Sequence, residues 1–147
     1  MKRSNLAAAA LAGTATGLRS TIGVGALVET ASGGLPIPLR TPPARITAGL
    51  ATLGELVVDK LPKTPSRLAP PGLAARVALA AASGVLIARA AGQPVIPAAL
   101  VAAAAAVASA RVGHDLRALA STRVPPFAAA VTEDVVAIGL AALAARA

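Results

Sequence analysis

Cysteine, tryptophan and tyrosine are absent from this chain, and phenylalanine, methionine and histidine each occur once. Without cysteine there is no disulfide framework, no thiolate metal site and no inference about redox compartment. A single histidine, His114, leaves a zinc site without its usual ligands, so no metal is expected; His114 reads as an interfacial side chain. With Phe127 as the one aromatic, no platform exists for stacking bases, and the formal charge of +8 does not read as nucleic-acid binding. The basic residues sit at the ends of apolar segments rather than in a stripe. That placement suits a protein oriented in a bilayer and touching anionic lipid headgroups. The aromatic belt common at membrane interfaces is missing, which leaves lysine and arginine as anchors. Charge is scarce overall, at 14% of residues against a usual ~25%. No Ser/His/Asp set, phosphate loop or glycine-rich nucleotide fingerprint occurs, so neither an enzyme activity nor a cofactor is expected.

What is present is apolar. Of the 147 residues 56% are hydrophobic, and the mean hydropathy is +0.73. The apolar residues fall in blocks separated by Pro/Gly-rich turns, more than the polar surface of a soluble domain this size could cover. The expected fold is all-α: one integral membrane domain over residues 1–147, a multi-pass bundle of about five segments. Its helices are expected at about 5–29, 44–61, 72–91, 97–119 and 127–146. The rival is a soluble alanine-rich bundle, sustained by the weak hydrophobicity of alanine. A signal peptide would also open with Met1-Lys2-Arg3, but the apolar character resumes after Arg19 and reaches the ~20 residues a span needs.

Within the first segment Ala9, Gly13, Gly17, Thr21 and Gly25 recur every fourth residue, a small-residue stripe that lets another helix backbone approach closely. The third segment repeats the device with Ala80, Gly84 and Ala88. Lysine and arginine counts favour a cytoplasmic N-terminus and an external C-terminus for five segments. That arrangement places Lys2, Arg3, Lys60, Lys63, Arg67, Arg76, Arg117 and Arg123 inside, and Arg40, Arg45, Arg89 and Arg146 outside. A bacterial inner membrane is the expected location. An echo links Gly17-Leu18-Arg19 and Glu55-Leu56-Val57-Val58 to Asp115-Leu116-Arg117 and Glu133-Asp134-Val135-Val136. It would relate segments 1–2 to 4–5 as an inverted repeat, a recurrent transporter architecture.

Polar chemistry concentrates in a few places. Thr52, Glu55 and Asp59 lie at i, i+3 and i+7, one polar stripe on an apolar cylinder. Arg19 stands near the middle of the first segment, where a bare arginine costs roughly 2.5–3.5 kcal/mol and needs a partner inside the bundle. Glu55 and Asp59 on the neighbouring segment are the first candidates. Glu133 and Asp134, with Arg111, Asp115 and Arg117, approach the same level. Together they describe either a pathway for an ion, proton or small polar solute, or a buried ion-pair network that only fixes helix packing. Lys60, Lys63 and Arg67 could clasp a lipid phosphate, or form a solvated basic turn that obeys the positive-inside bias.

These residues also carry a resemblance. Gly17-Leu18-Arg19-Ser20, then Glu55-x3-Asp59-Lys60-Leu61-Pro62-Lys63-Thr64-Pro65-Ser66-Arg67, Arg76 and Glu133-Asp134 are similar to the pattern of a bacterial membrane family, the domain-of-unknown-function 4126 family. The resemblance covers nearly the whole chain and implies a small multi-pass membrane protein. It brings no activity, substrate or catalytic residue. The proline expected soon after Gly-Leu-Arg is replaced by Ser20-Thr21-Ile22-Gly23, which implies a less kinked first helix. The functional expectation is a small transporter- or channel-like protein, self-associating in the bilayer. The alternative is a structural or regulatory membrane component that moves nothing.

Overall fold

The computed structural model describes residues 3–30, 41–58, 68–120 and 122–146, without the side chains of residues 3–4, 29–30, 55–58 and 126. Their regular structure is entirely helical: α1 (Arg3–Leu18), α2 (Ile22–Thr30), α3 (Pro42–Val58), α4 (Pro70–Ala90), α5 (Val95–Ala120) and α6 (Pro126–Arg146). Prolines open α3, α4 and α6, because the first helical turn needs no N–H partner and proline presets its φ. Between α4 and α5 the chain reverses on Gly92, the one described residue with positive φ (62°). There the Gln93 N–H donates to Ala88 O at 2.8 Å and the Gly92 N–H to Arg89 O at 3.1 Å, the paired bonds that close a helix on a left-handed glycine.

The main departure from the expected segments lies at residues 19–21. Residues 5–29 form no single continuous helix. α1 stops at Leu18, and after a three-residue turn α2 runs back along it. A Cβ placed on Gly23 would strike the Thr16 side chain and the Ala12 carbonyl, groups that a straight helix would leave one and a half turns or more away. The missing proline does not keep the helix straight, because the turn is made by other means. Ser20 and Thr21 offer hydroxyls that compete with helical bonding. The Thr21 carbonyl accepts the first bond of α2, from the Gly25 N–H at 2.8 Å, and Gly23 lets the two helices lie in contact. The stripe expected from Ala9 to Gly25 is divided by this turn. Gly13 and Gly17 face α5, whereas Gly25 faces Thr52 and Ala48 of α3.

Helix directions follow from which backbones meet. Gly13 abuts Ala102, and Gly17 abuts Ala106 and Ser109, so α1 and α5 run parallel. Gly84 meets Ala98 and Ala99 across the tight connection, so α4 is antiparallel to both. Arg19 meets Asp134, and Ala15 clusters with Ala137 and Ala141, so α6 also runs against α1. α1 is therefore the centre of the bundle, packed on α4, α5 and α6. It begins at the end where α4 and α6 finish, here the near end, and stops at about mid-height, since Ser109 is near the middle of α5. α2 returns to the near end. Both ends of the chain accordingly lie on one side of the bundle. The expected inverted relation between segments 1–2 and 4–5 is not reproduced in their first members, a folded hairpin in one case and an unbroken 26-residue helix in the other.

The interior is built of small residues. Ala8, Ala9, Ala12, Ala15, Ala80, Ala88, Ala98, Ala102, Ala106, Ala110, Ala137 and Ala141 are all at most 1% exposed. Most bulky aliphatics point outward, Ile96 being 70% exposed, Leu100 66% and Val135 64%, while Ile22, Leu27 and Val28 of α2 are buried. A water-soluble bundle gains its stability by the opposite arrangement. Small inside and large outside is how helices pack when the surroundings are as apolar as leucine and close backbone approach supplies the attraction. Three helices, α4, α5 and α6 from Phe127 onward, are long and apolar enough to cross a membrane. The chain is a helical membrane protein rather than the soluble bundle that competed with it.

Glycine substitutions test this packing. Gly13→Val sets side-chain atoms on the Ala102 backbone, which cannot move aside, and is expected to cost at or above the top of the ~1–3 kcal/mol range for overpacking. Gly139→Ala meets nothing within 4 Å and should instead stabilise α6 by about 0.5–1 kcal/mol. Unfolding of the two variants in detergent micelles compares them directly.

Candidate functional site

The turn between α1 and α2 brings a charged side chain to the middle of the bundle. Arg19 is fully buried, and its Nη2 lies 2.5 Å from Oδ1 of Asp134, whose side chain is 12% exposed. The backbone around it is closed on itself: the Arg19 N–H donates to Ala15 O at 2.8 Å, and its carbonyl accepts from the Ile22 N–H at 3.3 Å. Irregular backbone at membrane depth is tolerated where protein encloses it, and here α4, α5 and α6 do so.

Asp134 reaches Arg19 because of its phase on α6. Ala130, Asp134, Ala137, Ala141 and Ala144 form the buried face of that helix, repeating at three- and four-residue steps. Its neighbour Glu133 falls about 100° away and turns toward α5, where Oε2 lies 3.8 Å from Nη1 of Arg117. The adjacent carboxylates that look alike in sequence are thus divided between two helix interfaces. Arg111 and Asp115 do not join them. The buried face of α5 runs through Ala102, Ala106, Ser109, Ala110 and Gly113, and both charged residues project from the exposed side. Asp115 instead meets its exposed neighbour His114, at 3.3 Å from Nδ1. Of the two partners first expected for Arg19, Asp59 lies outside the described residues, as does the side chain of Glu55. Lys60, Lys63 and Arg67 lie outside them as well.

A further buried arginine was not anticipated. Arg76 is 6% exposed and donates from Nη1 to Gly72 O at 3.3 Å. The signal was available: Arg76 stands four residues before Ala80, Gly84 and Ala88, in register with the small-residue stripe that faces the interior. The buried hydroxyls are occupied within their own helices. Thr16 donates to Ala12 O at 2.8 Å, Ser83 to Leu79 O at 3.0 Å and Ser109 to Ala106 O at 3.3 Å.

Because α1 ends at mid-height, nothing from it fills the space between the far halves of α5 and α6. A groove of about 520 Å³ opens there. Thr14 and Leu18 of α1 form its floor, and Val112, Leu116, Val124 and Val136 line its sides. Arg117 and Glu133 are the charged residues on its wall. A second apolar hollow, of about 400 Å³, lies among α2, α3 and α6 and is lined by Ile22, Gly25, Thr52 and Ile138 among others. No group of three or more potential metal ligands occurs among the described residues.

Fold and site together define a class: a compact helical membrane protein with a hairpin ending inside the bundle on a buried ion pair. Comparison with known proteins does not extend that description, since no family model, curated protein or solved structure matches the chain.

The two ion pairs should respond differently to neutralisation. Asp134→Asn takes a carboxylate away from the fully buried Arg19 and is expected to cost about 3–5 kcal/mol. Glu133→Gln loosens a longer, partly exposed pair and should cost less than about 1 kcal/mol. Denaturant titration of the detergent-solubilised variants measures both.

Proposed function

We propose that this chain is a small transporter- or channel-like membrane protein with four crossing helices, α3 to α6, and a re-entrant hairpin formed by α1 and α2. The hairpin turn is its constriction, and the solute is an ion, a proton or a small polar molecule. One observation carries this reading: the α1–α2 turn ends at mid-height, next to a groove between α5 and α6 that Thr14 and Leu18 of α1 help to line. Helix ends placed at membrane depth present peptide dipoles to a solute, and discontinuous helices build the substrate sites of many transporters. Arg19 and Asp134 then form the closed state of the path, and Arg117 and Glu133 stand on the wall of its approach. The re-entrant hairpin leaves four crossings in place of five and puts both termini on one side of the membrane.

A second reading has its own support. Arg19 is wholly enclosed, and the groove wall is mainly aliphatic. Both features suit a component whose charges only lock the hairpin in place.

The pair Arg19→Met with Asp134→Leu separates the readings, since replacing a buried ion pair by apolar residues of similar volume is often neutral or stabilising for folding. The transport reading expects the double variant to fold at parental yield and to lose flux, measured as proton uptake and KCl conductance in proteoliposomes. Parental flux in the folded double variant would remove the pair from the path. A parent no more conductive than protein-free vesicles, to protons and KCl alike, would favour the second reading.

A further inference from the structure

The distribution of positive charge over the two ends of the bundle has a consequence for insertion. The described arginines outside the interior divide almost evenly. Arg45 at the start of α3, Arg89 at the end of α4 and Arg146 at the end of α6 belong to the near end. Arg117 in the last turn of α5 and Arg123 in the turn after it belong to the far end, and Arg111, two residues past Ser109, lies close to mid-height. Chain order divides the others in the same way. In sequence, Lys2 and Arg3 stand at the start of α1 and Arg40 just before α3, and Lys60, Lys63 and Arg67 lie between α3 and α4. Arg19 and Arg76 are buried within the bundle and face neither surface. The apparent excess of eight to four rested on five successive crossings. Once the first segment folds back on itself, α2 ends at the near end and α4 starts at the far end. On the route proposed above, α3, the described helix between them, carries the chain across. Counted by flanking segment, the bias then becomes six against five.

Orientation in a membrane is set by the lysine and arginine bias of the short segments flanking the helices, while acidic residues contribute little. The remaining cues are also weak. No tryptophan or tyrosine marks either interface, and the connections between helices are short on both sides. We infer that the chain inserts in both orientations, so that the membrane holds two populations of the same bundle, inverted with respect to each other. The inverted symmetry that transporters commonly build within one chain is then available between two copies of this one. The inference rests on the bundle crossing a membrane by the route proposed above, and is independent of whether any solute passes.

The chain has no cysteine, so single cysteines report their own side without a background. Ala91→Cys marks the near end and Thr122→Cys the far end, both at exposed turn positions. Intact cells expressing either variant are treated with a membrane-impermeant maleimide, and the remaining thiols are counted after permeabilisation. With so little charge bias to choose a side, each site should be blocked from outside in about half of the molecules, the two fractions being complementary. Full labelling of one site and none of the other would overturn the inference. A second measurement perturbs the balance: Thr122→Lys added to Ala91→Cys should retain the far end in the cytoplasm and raise outside labelling of Cys at position 91 from about half of the molecules toward all of them. Removing near-end charge with Arg89→Gln and Arg146→Gln should act in the same direction. Labelling that does not move with either change would overturn it as well.

Discussion

A guanidinium that cannot be left alone in an apolar medium dictates much of this architecture. Arg19 lies where no water reaches, and the carboxylate it meets comes from the last helix of the chain. For that pair to form, α6 must run alongside α1 with its alanine face inward, and α1 must stop at the level of Asp134. The surrounding residues are small because the helices have to come close enough for two short-range charged groups to touch. Gly13, Gly17 and Gly84, set against the backbones of α5, are the points at which that closeness is enforced. The groove between α5 and α6 follows from the same arrangement, as the volume left beyond the end of a central helix that goes only halfway.

The helices were legible in the sequence to within a few residues wherever proline, glycine and apolar block length agreed, as they do around α4, α5 and α6. The hairpin was not. Residues 5–29 have the length and hydropathy of a span, and neither property distinguishes one long helix from two short ones laid together. What decides between them is tertiary: Gly23 against Thr16 and Ala12, and Arg19 against Asp134. A stripe repeating every fourth residue counts as evidence for one helix only while the helix continues, and Thr21 and Gly25 kept the spacing after the direction had changed.

The site was legible in part. Arg19 meets Asp134, and Arg117 approaches Glu133, but composition gave no means of telling which of the two adjacent carboxylates faces which arginine. The choice depends on helix phase, which sends Asp134 inward with Ala130 and Ala137 and turns Glu133 toward Arg117. Phase also explains why Arg111 and Asp115, close to Arg117 in sequence, stand on another face of α5. Arg76 was readable from its register with Ala80, Gly84 and Ala88; its charge suggested a surface position and masked that register.

The position of α1 also bears on the order in which the molecule can be assembled. α1 precedes in the chain the helices α4, α5 and α6 that pack around it, and Asp134 is made only after α5. Contacts of such wide separation in sequence form late. Until α6 is made, the hairpin has no enclosed place to occupy and its arginine has no Asp134. The Arg19–Asp134 contact can therefore close only after α6 has been added to the helices that precede it.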